Sequence, residues 1–164
     1  MEINSILGNY EPIDENWFGL VEGDDKTAVK LRSANKWAEE YLKVINKYDN
    51  KGTVEQKIKT VSGGNRMIRK KVQTEETKMT PEQETAFNKD IRDFMIDNVI
   101  AVWRGIEENG VELPYNKENA LKVFDLDNKG TIVLILNIMQ SALKPENFTK
   151  ASEYTLEDEE TVKK

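Results

Sequence analysis

Residues Ile100–Leu121 read IAVWRGIEENGVELPYNKENAL, and the fold turns on how this stretch joins the segments on either side of it. Upstream, Phe87, Ile91, Phe94, Met95, Asn98, Val99 and Val102 recur at helical spacing, with Trp103 beside them. That pattern predicts one long amphipathic helix over about 81–104, whose stripe is core first and binding surface second. Its start is well marked. Thr80 can cap, Pro81 sits at a first-turn position that needs no N–H donor, and Gln83 can close a capping box. At its end, Gly105 would permit a tight exit or a left-handed backbone, and Asn109-Gly110 reads as a turn. Leu113-Pro114-Tyr115 then leads to Asn116, which caps a shorter helix carrying Ala120, Leu121, Val123 and Phe124. The stretch therefore predicts a packing joint between two helices. Trp103, Arg104 and Tyr115 are residue types common at interface hot spots, although a Trp beside an apolar helical stripe ordinarily completes a core.

Working outward, 129–143 contains the β-branched run Ile132–Leu136. Ile135, Ile138, Met139 and Ala142 continue it at helical spacing, so a helix is expected, stopped by Pro145. Toward the N-terminus, Trp37, Tyr41, Val44, Ile45 and Tyr48 share one face of a helix that Ser33 would cap and Asn50-Lys51-Gly52 would end. Residues 17–32 hold two short segments around Gly23-Asp24-Asp25-Lys26 and read as a β-hairpin. A lone hairpin is marginal, so it should lean on a helix through Trp17, Phe18 or Leu20. Residues 1–16 read as a polar lead-in. The expected fold is mainly α: a small helical domain over 1–148 with an N-terminal β-hairpin (17–32), a mobile basic insert (51–72) and an acidic flexible tail (149–164).

Composition narrows function by exclusion. The 164 residues contain neither Cys nor His, which removes disulfides, the commonest zinc ligands and every Cys-His or Ser-His-Asp arrangement. Charged residues make up 33% of the chain, where about 25% is usual, and suit a thin core with polar appendages. Asp125-Leu-Asp127-Asn-Lys129-Gly130 starts like a calcium loop but places Lys129 and Leu136 where ligands belong. Ser62-Gly63-Gly64-Asn65 lacks the Lys-Ser/Thr of a phosphate-binding loop. Asp90, Asp93 and Asp97 suit a solvated helix face, and nothing selects a catalytic pair. No enzyme activity, metal or cofactor is expected. The N-terminus has no basic, apolar leader and no window is apolar enough to span a bilayer, so the cell interior is the expected location.

The basic insert stands out in a chain of net charge -6. Lys51, Lys57, Lys59, Arg66, Arg69, Lys70 and Lys71 face only Glu55 between residues 51 and 72. The insert has no aromatic residue on which a base could stack, and the acidic total opposes attraction to nucleic acid. A solvated loop is the plainer reading and a protein-docking loop the alternative.

The order Val102-Trp103-Arg104-Gly105-Ile106, Glu107-Glu108-Asn109-Gly110, Glu112-Leu113-Pro114-Tyr115 and Lys117-Glu118-Asn119-Ala120-Leu121 resembles the C-terminal pattern of tail assembly chaperones of tailed bacteriophages. The resemblance covers about 85–145. It implies a non-enzymatic protein of the host cytoplasm that binds the tape-measure protein and the major tail (tail-tube) protein during tail assembly, with self-association as a further option. Trp103, Arg104, Gly105, Pro114 and Tyr115 would then fix the joint or touch the partner. The basic insert and acidic tail depart from the family's pattern and leave a virion structural or adaptor protein, or a small protein-binding accessory module, as alternatives.

Overall fold

The computed structural model describes residues 1–49, 61–63, 66–68 and 79–153. A short helix, α1 (Ile3–Gly8), precedes strands β1 (Glu15–Val21) and β2 (Asp24–Arg32), and helix α2 (Ala38–Asp49) comes next. Strands β3 (Val61–Gly63) and β4 (Arg66–Ile68) pair antiparallel with each other. Then come helix α3 (Pro81–Phe94), a wide π turn (Met95–Val99), strand β5 (Ile100–Arg104), the small hairpin β6 (Glu107–Glu108) and β7 (Val111–Glu112), and helices α4 (Lys117–Val123) and α5 (Lys129–Leu143). The fold is mainly helical with an N-terminal β-hairpin, as the sequence pattern implied.

Several local signals act as read. The Thr80 hydroxyl accepts from the Gln83 N–H while the Gln83 side chain accepts from the Thr80 N–H, which closes the capping box. Asn116 accepts from the Asn119 N–H at 2.8 Å and opens α4. Asn109 and Gly110 take φ of 54° and 80°, the double left-handed turn that joins two strands without splaying them. Elsewhere the boundaries differ. Asp24–Lys26 belong to β2, so the hairpin turn is Glu22-Gly23, with Val21 opposite Asp24. Ser33 makes no side-chain cap; a 3-10 turn over Ala34–Lys36 intervenes before α2. The expected end of α2 at Asn50-Lys51-Gly52 lies outside the described residues.

The largest correction concerns 81–104. The helix ends in the π turn at Val99, and Ile100–Arg104 run as a strand beside β2, in the sheet order β1-β2-β5. Leu31 faces Ile100 and Lys30 faces Val102, so Ala101 is an extra residue, a β-bulge. The bulge places Ile100 and Trp103 on the same inner face three residues apart. Three is also a helical spacing, which is why a helical stripe and a bulged strand look alike there. Opening the helix also frees backbone carbonyls, and side chains satisfy them. Tyr115 Oη donates to Ile96 O at 2.5 Å, Arg32 Nη1 donates to Asn98 O and Ile100 O at 3.2 Å each, and Asn98 Nδ2 donates to Phe94 O.

The core lies between the inner face of the sheet and the helices. Val29, Leu31, Ile100 and Trp103 from the sheet meet Ile91, Met95, Val99, Ala120, Phe124, Ile135, Ile138 and Met139. The π turn is the hub, in contact with α3, α4, α5, β2 and β5. Phe18 and Leu20 pack against this core from β1, and Trp37 seals one side with its ring edge-on to Tyr41 and Phe94. Tyr48 pins α2 to α3 by donating its hydroxyl to Asp90, and that bond pushes the phenol up to about 12.

Both ends of the described chain are tied together. Phe148 is buried against Phe18, Ile13 N–H donates to Phe148 O, and Lys150 and Ala151 N–H groups donate to Glu11 O and Asn9 O. Asn16 Nδ2 donates to Asn147 O and Ser152 O at 2.9 Å each. The lead-in is therefore partly structured, and a tail boundary at 149 falls inside a hydrogen-bonded segment. Residues 154–164 lie outside the described residues.

Candidate functional site

The five residues singled out around the joint divide between the two faces of the sheet. Trp103 points inward and is buried; its indole N–H donates to Leu113 O at 2.7 Å, and its ring meets Tyr115 edge-on at 4.9 Å. Burial pushes the Tyr115 phenol up to about 12. Gly105 sits at φ +74°, where a Cβ would stand 2.2 Å from Lys26 O. Its N–H donates to Glu112 Oε1 and its carbonyl accepts from the Thr27 hydroxyl. Pro114 is exposed and its carbonyl accepts from Asn119 Nδ2. Trp103, Gly105 and Tyr115 thus build the joint between strand and helix from one side.

Arg104 points the other way. On the outer face, Gly19 and Ala28 are too small to fill the surface, and Trp17 lies over the gap with the Arg104 guanidinium 5.0 Å from its ring centre. Arg104 Nη2 donates to Asp25 O at 2.8 Å. Its Nε is withdrawn from solvent with no acceptor. A cavity of about 100 Å³ opens between Trp17, Gly19, Asp25, Ala28 and Arg104. Lys30, 6.0 Å from the same ring, already has Glu15 at 3.4 Å, and Arg32 shares that carboxylate. Trp17, one of three residues considered for packing the hairpin on a helix, is half-buried on this outer surface, whereas Phe18 and Leu20 do the packing. The alternation of Trp17 and Gly19 with Phe18 and Leu20 carried that distinction.

A second surface went unread in the sequence. Ile3, Ile6 and Leu7 stand at i, i+3 and i+4 of α1 and are 72%, 43% and 61% exposed, and Tyr10 in the turn that follows is 65% exposed, so α1 and its exit display an apolar stripe and bury none of it. The signal was present, but six helical residues among Asn, Pro and Glu read as lead-in. Of the basic insert, Arg66 begins β4, while Lys57, Lys59, Arg69, Lys70 and Lys71 lie outside the described residues.

Among the described residues no group of three or more acidic residues is placed to hold a metal ion, and no helix is long and apolar enough to cross a membrane. The fold defines a small, mainly helical protein built on a three-stranded sheet. The family model described as YdaY prophage protein matches residues 55–164, and the chain belongs to that family. Comparison with curated proteins and with solved structures gave no match. The phage origin implied by the tail-protein resemblance stands at this coarser level.

Proposed function

We propose that the chain is a protein-binding accessory factor of the phage, which seats an apolar helix of a partner against the stripe on α1. The observation that carries this reading is the exposure of Ile3, Ile6, Leu7 and Tyr10 together. A helix this short is not stable in water by propensity alone, and a partner's apolar helix would bury the stripe and hold the helix at once. In its finer form the proposal is a tail assembly chaperone of the host cytoplasm. Its partners would be the tape-measure protein, whose apolar helices need cover before assembly, and the major tail protein. In that form Lys57, Lys59, Arg66, Arg69, Lys70 and Lys71 would steer acidic partners, a role that deletion of 51–72 without loss of binding would remove.

The test is binding of the full chain to apolar helical segments of a phage tape-measure protein. Ile6→Asp with Leu7→Asp should abolish binding and leave the fold intact by circular dichroism. Unchanged binding would refute the α1 surface. Sedimentation of the free chain measures whether the same stripe pairs two copies. Assaying purified particles separates a chaperone, which should be depleted from them, from a virion adaptor, which should persist.

A further inference from the structure

On the outer face of the sheet, Arg104 is a partly buried cation with an unsatisfied donor. Five N–H groups project from its guanidinium; Nη2 meets a backbone carbonyl, Nε has no acceptor, and among the described residues no carboxylate lies within ion-pair distance. A withdrawn cation is normally paired, and an N–H hidden from water without an acceptor is destabilising. The neighbouring cations differ: Lys30 and Arg32 converge on Glu15. Beside Arg104 is the roughly 100 Å³ cavity walled by Trp17 and floored by Gly19 and Ala28. Drug-sized or cofactor-sized molecules need about 300 Å³ or more, so this space suits one small head group.

We propose that this cavity anchors the carboxylate of an Asp or Glu side chain on an extended segment of a partner protein. A carboxylate entering beside the guanidinium supplies the missing countercharge in the planar geometry that arginine matches best, with Trp17 shifting to expose Nε. A protein segment is favoured over a free anion because Val102, two residues before Arg104 on the same outer face, is 38% exposed and offers an apolar contact one strand repeat away. Nucleic acid is disfavoured because Glu15 neutralises the cations that would track a second phosphate. The inference rests on the protein-binding reading only in taking a protein as ligand, and it uses none of the α1 residues.

The experiment titrates the full chain with a short acetylated and amidated peptide alternating Glu with Val and Thr, following the Trp17 indole N–H by NMR. Saturable binding that moves this signal is expected. Arg104→Gln should weaken it about tenfold or more, and Arg104→Lys should weaken it too because the fork is lost. Trp17→Leu, followed through the Arg104 backbone amide, provides a second variant should Arg104→Gln disturb the fold, and it should also weaken binding. Ile6→Asp should leave it unchanged, so a failure of the α1 reading and a failure here are distinguishable. No binding, equal binding by Arg104→Gln, equal binding of the same peptide with Lys in place of Glu, or displacement by inorganic phosphate at peptide-like concentrations would each overturn the proposal.

Discussion

Replacing Gly105 with Ala should destabilise the protein by about 2–4 kcal/mol, and the structure supplies each contribution. Glycine holds φ at +74°. An L-residue there pays about 1–2 kcal/mol, offset by roughly 0.4–1 kcal/mol because alanine restricts the unfolded chain. The added Cβ would also stand 2.2 Å from Lys26 O and 2.8 Å from its carbonyl carbon, both backbone atoms in β2. Relief requires the end of β5 to move away from β2. That movement loosens the bonds from Thr27 Oγ1 to Gly105 O and from Arg104 Nη2 to Asp25 O, each worth about 1 kcal/mol. Gly110 supplies the control. It has nearly the same dihedral, φ +80°, but nothing within 4 Å of a Cβ, so Gly110→Ala should cost only the backbone component, about 1 kcal/mol. Urea unfolding followed by tryptophan fluorescence measures both. Equal losses for the two variants would refute the claim that close approach of β2, rather than handedness alone, makes residue 105 a glycine.

Tyr115→Phe should cost about 1–2 kcal/mol in the same assay, because it leaves Ile96 O in the π turn without its donor while preserving the ring against Trp103. Tyr115 and Tyr48 both have folded pKa values raised from 10.0 to about 12, so their stabilisation is full below pH 10 and is lost as pH rises toward 12. Unfolding free energy should fall across that window, and Tyr115→Phe should flatten the fall; a flat wild-type profile would contradict it. Deleting residues 1–54 removes Val29, Leu31 and Trp37 from the core, each worth about 1.5–3 kcal/mol, in total comparable with a domain's whole stability. The remaining chain should lack dispersed NMR signals. Asn16→Ala should free the Asn147–Ser152 segment and speed its proteolysis, without a comparable change near Gly105.

The features legible in the sequence were those that local chemistry decides. The capping box at Thr80, the Asn116 cap, the Asn109-Gly110 turn and the α5 stripe each need only a few neighbouring residues, and each forms as read. The strand at Ile100–Arg104 was not legible because its identity depends on a partner strand, β2, in a distant part of the chain. Only pairing with β2 distinguishes a bulged strand from a helical stripe. The same error hid the candidate binding site. On a helix Trp103 and Arg104 are neighbours on one broad surface; on a strand they point to opposite faces, so one enters the core and the other stacks on Trp17. Trp17 could not be assigned to that site from its own segment, since the residue that meets it lies in another strand.

The pairing also bears on the physical meaning of the YdaY match. The matched region, 55–164, contributes β5, the π turn, α4 and α5, but β5 has its hydrogen-bonded neighbour in β2, which precedes that region. Arg32, also outside it, supplies donors to the carbonyls at Asn98 and Ile100 where the helix opens. The transition from helix to strand is therefore stabilised from both halves of the chain: Tyr115 from within the matched region and Arg32 from before it. The outer cavity has the same dual origin, with Trp17 from one half and Arg104 from the other. A surface built this way exists only when the hairpin is docked, so any partner that reads Arg104 also reads the folded state of residues that the family match leaves out.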